Sequence, residues 1–210
     1  MRYIRPIVLF LDDDLETSAK YLTNFHLEYG IKAACQVLMC SLYYLLGYRT
    51  KFLFKHYFCK ERWDSTRLEN FPNYPLSTIP KYTFYNSEEA RWCRRCQEHY
   101  NLMLKYFGFM LTEYTFRTNR IHQLADMYGF FGTFPMETAL RKGYTFPHLK
   151  NKSKLQLPWK NLPVEFRRID IVKGYRLYYR SLIPAPLVAF VGTKRDVPEF
   201  LCDKINDIIS

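Results

Sequence analysis

Apolar and polar positions recur with helical spacing over most of the chain and predict a mainly α protein. Residues 3–11 are the exception. Their run Tyr-Ile-Arg-Pro-Ile-Val-Leu-Phe-Leu predicts a short strand, with Pro6 placing its first half at an edge. Asp12, Asp13 and Asp14 then open a helix, Asp13 and Glu16 having capping-box spacing. A metal-binding carboxylate cluster is the sharper alternative for this triplet. From Leu15 to Gly47 the pattern predicts two helices broken near Tyr29-Gly30, with Ile31, Ala34, Cys35, Leu38, Leu42 and Leu45 as a core stripe.

Residues 48–63 alternate weakly and read as strand or helix. Residues 64–86 carry Pro72, Pro75 and Pro80 and predict an irregular loop. A helical hairpin follows, from about Ser87 to Phe107 and from Phe109 to Met127. In it Leu102, Met103, Tyr106 and Phe107 would face Met110, Tyr114 and Phe116, and Gly129-Phe-Phe-Gly132 would end it. A further helix is expected over about Asp170–Ser181 and a last short one within Val197–Ile209. The expected architecture is one helical domain over residues 1–210 with a short N-terminal β element.

Composition sharpens this. Of 210 residues 48% are hydrophobic and 18% aromatic, including 18 Tyr and 17 Phe, which excludes a disordered chain. The longest apolar stretch, Ala33–Gly47, is interrupted by Gln36 and Ser41 and is too short to cross a bilayer, so no membrane partner is expected. The N-terminal apolar run is shorter than a signal-peptide core, which points to a cytoplasmic protein. The net charge is +11. Nine of those charges fall between Arg141 and Arg180, where eleven Lys and Arg meet only Glu165 and Asp170. Such a block attracts a polyanion through counterion release. The interleaved Tyr144, Phe146, Trp159, Phe166, Tyr175, Tyr178 and Tyr179 are candidate stacking faces for bases. Nucleic acid is the expected partner, and an acidic protein the alternative.

The six cysteines predict free thiols in a reducing compartment. One spacing, His56-x2-Cys59 with Cys93-x2-Cys96, could supply a tetrahedral zinc site, although Cys93 and Cys96 sit in a helical stretch without knuckle glycines. No cofactor is expected otherwise. The P-loop, the dinucleotide-binding glycine fingerprint, the nucleophile elbow and the zinc-deaminase pattern are all missing. Arg2 disfavours removal of Met1, and with it a nucleophilic amine on residue 2.

The remaining polar features lie on predicted helices. His26 and Gln36, ten residues apart, share a helix face. Trp92, Arg94 and Tyr100 open the long helix, Glu113-Tyr-Thr-Phe-Arg117 places an acid and a base at i,i+4 ahead of His122, and Tyr175-Arg176 precedes Tyr178-Tyr179. As a plain helix pair, Glu113–Arg117 would contribute only a few tenths of a kcal/mol.

With Phe10-Leu11-Asp12-Asp13-Asp14 and Lys194-Arg195-Asp196-Val197-Pro198-Glu199-Phe200, these segments occur in the order seen in a family of small tailed-phage proteins sometimes labelled pyrimidine-dimer DNA glycosylases. The chain resembles that family over nearly its whole length. The resemblance implies a phage-encoded DNA-acting protein of glycosylase-like or base-modifying type, in the cytoplasm of an infected bacterium or in a virion. Glu113, His122 and His26 would then be the catalytic candidates. Gln36, Arg94, Arg117, Tyr175, Arg176, Lys194 and Arg195 would bind substrate or nucleic acid. The family places a Lys three and a Glu seven residues after the first His, where this chain has Tyr29 and Ala33. If those are the working groups, the chain is a catalytically inactive module binding DNA or a host or phage protein, or a structural component of a phage particle.

Overall fold

The computed structural model describes residues 8–45, 87–129, 131–132, 146, 157–158, 160 and 162–202. The described chain is mainly helical. Helix α1 spans Leu15–Lys20, α2 Asn24–Leu45, α3 Glu88–Cys93, α4 Gln97–Thr118, α5 Ile171–Leu182 and α6 Pro186–Ala189, with a 3-10 turn at Val164–Phe166. Residues 126–129, 131–132 and 199–202 are also helical. The two 22-residue helices α2 and α4 pack along each other, α1 lies against α4, and α3 bridges both.

Among the described residues there is no strand: residues 8–11 of the expected N-terminal β element are not in a strand, and residues 3–7 lie outside the described residues. Residues 8–11 are buried but irregular, and side chains take the place of a neighbouring strand. Tyr106 Oη donates to the Leu9 carbonyl at 2.6 Å. The Leu11 N–H donates to Ser18 Oγ at 2.8 Å, and Arg176 Nε donates to the Leu11 carbonyl at 2.6 Å. Buried backbone groups need partners, and here they find them without a sheet.

Three helix starts are set by short polar side chains. Asp14, not Asp13, caps α1, accepting from the N–H of Thr17 at 3.0 Å and from its hydroxyl at 2.7 Å. Asp12 accepts from the Asp14 N–H at 3.0 Å and from Arg176 at 2.6 Å, so the triplet serves caps and an ion pair. Ser87 caps α3, and Asp170 caps α5 by accepting from the Lys173 N–H at 3.0 Å.

Two helix breaks differ from expectation. Helix α2 runs unbroken through Gly30, and the chain turns instead at residues 21–23. Gly30 lets α4 approach: a Cβ there would stand 3.0 Å from Met110 Sδ. Helix α4 likewise passes through Gly108, so residues 102–107 and 110–116 share one helix, and the break lies at residues 94–96. Gly129 and Gly132 are themselves helical, and residues 133–145, beyond the expected end of that segment, lie outside the described residues. Ile31, Ala34, Cys35 and Leu38 are core as expected, whereas the side chains of Leu42 and Leu45, residues 48–86 and residues 203–209 lie outside the described residues.

Tyrosine builds the centre. Phe10 stacks on Tyr106 with ring centroids 5.1 Å apart and meets the edges of Trp92 and Tyr175. Tyr100, Tyr106, Tyr175 and Tyr179 are fully buried, and each hydroxyl bonds backbone: Tyr100 donates to the carbonyl of helical Phe131, Tyr106 and Tyr175 donate to the irregular Leu9 and Pro158 carbonyls, and Tyr179 accepts from the Thr23 N–H. An aromatic body with a polar tip suits a core that must both exclude water and satisfy irregular backbone.

Candidate functional site

Glu113 and Arg117 occupy adjacent turns of α4 and face the α1–α2 turn. Arg117 Nε donates to Glu113 Oε1 at 2.6 Å. Its remaining nitrogens donate to the Leu22 carbonyl at 2.7 Å, the Lys20 carbonyl at 3.0 Å and Asn24 Oδ1 at 3.3 Å. Arg117 thereby receives backbone carbonyls at the end of α1 that no helical N–H can reach. Arg195 clasps the same carboxylate from the opposite side, Nε to Oε1 at 2.9 Å and Nη2 to Oε2 at 2.8 Å. Burial pushes the Glu113 carboxyl up, but Arg195 and Arg117 outweigh it and hold the group below the usual carboxylate range. Both oxygens are thus occupied by guanidinium groups. A carboxylate so held is a poor proton carrier. The pair is not the exposed helix pair its spacing allows. It is buried and ties α1, α2, α4 and residues 193–195 together.

His26 sits beside this knot. Its Nδ1 lies 2.7 Å from Thr23 Oγ1, its ring meets the edge of Tyr179 at 5.0 Å, and burial lowers its pKa to about 4. The ring is therefore neutral at pH 7. Lys194, in the left-handed region at φ 58°, donates to the Phe116 carbonyl at 2.9 Å and Asn119 Oδ1 at 3.4 Å. Arg195 Cζ lies 4.2 Å from the Phe116 ring centroid. His26, Glu113, Arg117, Lys194 and Arg195 are thus brought together.

The other predicted residues are placed elsewhere. His122 Nδ1 accepts from the Leu124 N–H at 3.0 Å, so Nε2 carries the proton and donates to Glu28 Oε2 at 3.1 Å. Burial lowers its pKa against the pull of Glu28. Gln36 is about 15 Å along α2 from His26. Arg94 caps the end of α3 with its guanidinium 4.9 Å from the Tyr44 ring. Arg176 pairs with Asp12, and Tyr175 is core. The ten residues do not converge on one pocket.

Where α2 meets α3 there is a narrow, partly open groove lined by Ala33, Gln36, Val37, Cys40, Ser87, Glu89 and Ala90, whose cavity volume of about 10 Å³ is that of a single water. Sequence reasoning found Gln36 but missed Glu89, which reads as one of two ordinary acids in the first turn of a helix. Only the packing of α3 on α2 buries it to 4% exposure. Burial pushes its carboxyl up to about 7, and Oε1 has no hydrogen-bond partner among the described residues.

Of the basic block, positions 141, 142, 150, 152 and 154 lie outside the described residues. Arg168 and Lys173 are exposed, whereas Arg167 donates to the Leu162 and Lys160 carbonyls. The aromatics expected as stacking faces are mostly core. Phe146 stacks on Tyr100, Phe166 tilts on Tyr178, and Tyr175, Tyr178 and Tyr179 are buried. Tyr144 and Trp159 lie outside the described residues. So do His56 and Cys59 of the expected zinc set. Cys93 and Cys96 are buried free thiols, and burial pushes Cys93 up to about 12. Among the described residues no group of three His, Cys, Asp or Glu is arranged to hold a metal, and no helix is long and apolar enough to cross a membrane. No protein-family model, curated protein or solved structure matches the chain.

Proposed function

We infer that the protein binds DNA through its cationic surface without using Glu113, His122 or His26 to remove or modify a base. The observation that carries the binding half is the concentration of nine of the eleven net positive charges between Arg141 and Arg180. Exposed Lys160, Arg168 and Lys173 belong to that stretch, and Lys194 is exposed as well. Phosphate contacts by such cations give affinity without sequence preference. The non-catalytic half is supported by the three guanidinium N–H groups on Glu113 and by both His122 nitrogens being engaged. Tyr29, which stacks on Phe25 with centroids 6.0 Å apart, and Ala33, which lines the groove, stand where the resembled family has its Lys and Glu, so that amine and that carboxylate are absent from these positions.

Incubation with intact and ultraviolet-damaged duplex, followed by alkali treatment, separates this from the glycosylase-like reading. The expected result is retention of both duplexes at low salt with no strand scission. Scission that disappears in Glu113→Gln, in a protein that still folds, would establish catalysis and overturn the non-catalytic half. Failure to retain either duplex at low ionic strength would overturn the binding half.

A further inference from the structure

The aromatic rings that stand furthest into water are not those of the basic stretch. Phe25, in the first turn of α2, is the most exposed aromatic side chain among the described residues, at 70%. Phe116, in the last turn of α4, follows at 46%. One amide joins their surroundings. Asn24 Oδ1 accepts from Arg117 at 3.3 Å, and Asn24 Nδ2 donates to the Gly192 carbonyl at 3.4 Å. Phe25 adjoins Asn24 in the chain, Phe116 adjoins Arg117, and exposed Val191 adjoins Gly192. These side chains therefore border one junction, whereas a single scattered surface ring would need no explanation.

Each ring carries a feature that points to the same kind of partner. Phe25 lies nearly parallel to Tyr29, with 12° between planes, so the pair begins a stack that a further flat ring can extend. Phe116 has cations beside it, Lys194 Nζ 5.6 Å and Arg195 Cζ 4.2 Å from its centroid. Arg195 is committed to Glu113, but Lys194 is exposed and its Nζ donates to two neutral oxygens. The basic stretch reaches this junction as well. Tyr179 accepts from the Thr23 N–H at 2.7 Å and meets the His26 ring edge-on, which sets the end of α5 beside the start of α2. Flat apolar faces next to an exposed ammonium match a nucleobase joined to its phosphate. A duplex hides its base faces within its own stack, and an unpaired strand presents them.

We propose that Phe25 and Phe116 are stacking platforms for the unpaired bases of single-stranded DNA, with Lys194 on the adjoining phosphates. The proposal rests on the DNA-binding reading above and names the strand form and the residues that select it.

Anisotropy titration of the full chain at one low salt concentration with three labelled probes tests it. The probes are oligothymidine of about 16 nucleotides, a strand of abasic sites with the same number of phosphates, and a duplex of equal length. Oligothymidine should bind at least about ten-fold more tightly than the abasic strand, because stacking on two rings is lost with the bases. Phe25→Leu and Phe116→Leu keep apolar bulk and remove the flat face. Each should weaken oligothymidine by about five-fold or more and leave the abasic strand and the duplex unchanged. Phe25→Trp should keep the native affinity and show quenching of its added indole emission on binding. Equal binding of oligothymidine and the abasic strand, or unchanged oligothymidine affinity in both leucine variants, would overturn the stacking site and leave phosphate binding standing. Anionic phosphatidylglycerol vesicles bound in place of any preference for bases would assign the face to a membrane and overturn it too. Failure of all three nucleic acids to bind would overturn the DNA-binding reading itself, and the site with it. If a leucine variant fails to fold, the comparison of oligothymidine with the abasic strand on the native chain still decides.

Discussion

Glu113 receives N–H groups from two arginines, and Arg117 spends its other nitrogens on the carbonyls of residues 20 and 22. Removing the carboxylate therefore strands buried positive charge. Glu113→Gln should lower stability by about 3–5 kcal/mol in urea unfolding, far above the effect of an exposed i,i+4 pair. The depressed carboxyl also predicts a pH dependence. Its contribution is present above the ordinary value of 4.5 and is lost as pH falls through the lower folded value. The native protein should thus lose stability below about pH 4.5, and Glu113→Gln should lack that component.

Glu89 has the opposite sign. Its folded value near 7 exceeds its unfolded value of 4.5, so the native state binds the extra proton and stability falls as pH rises from 4.5 to about 7. Glu89→Gln should be stabilised relative to the native chain above pH 7, by up to roughly 3 kcal/mol, with little difference below pH 4.5. Melting temperatures of the two proteins at both ends of that range check this.

At the scale of elements, local chemistry and long-range contact divide the chain between them. The helix over 171–182, its start beside Asp170 and the buried stripe of α2 were legible because spacing and a capping residue carry them. The break between α1 and α2 was not. No glycine or proline marks residues 21–23. The turn is held by the Tyr179 hydroxyl on the Thr23 N–H and by Arg117, 156 and 95 to 97 positions away. Residues 8–11 depart from the expected strand for a similar reason, since the partners of Leu9 and Leu11 are single side chains from α1, α4 and α5. Tyr106→Phe should accordingly cost about 1–3 kcal/mol by leaving the buried Leu9 carbonyl without its donor, a loss measurable by urea unfolding.

Close helix contacts set further limits. A Cβ at Gly174 would stand 2.6 Å from the Phe166 carbonyl oxygen, which is backbone and cannot swing aside. Gly174→Ala should therefore destabilise the protein by about 1–3 kcal/mol despite alanine's better helix propensity. Enhanced proteolysis near residues 164–170 would accompany it.

For the whole molecule, the spacing of Glu113 and Arg117 was readable, but their burial and the third partner, Arg195, depend on how 193–195 folds back on α4. The same holds for the aromatic excess. It reads as a set of stacking platforms when counted along the basic stretch, yet the described tyrosines there form the core and hold irregular backbone by their hydroxyls. On the proposed reading, DNA would be held chiefly by phosphate contacts, with Lys160, Arg168, Lys173 and Lys194 among the exposed cations. Such binding should be strongly salt dependent and almost indifferent to base sequence.

The most direct test is fluorescence anisotropy with two duplexes of unrelated sequence, titrated over a series of salt concentrations. Both duplexes should bind with similar affinity, and a plot of log K against log salt should have a slope steeper than about −3, corresponding to several displaced counterions. A slope near zero, or no binding at the lowest salt, would contradict DNA binding through the cationic surface.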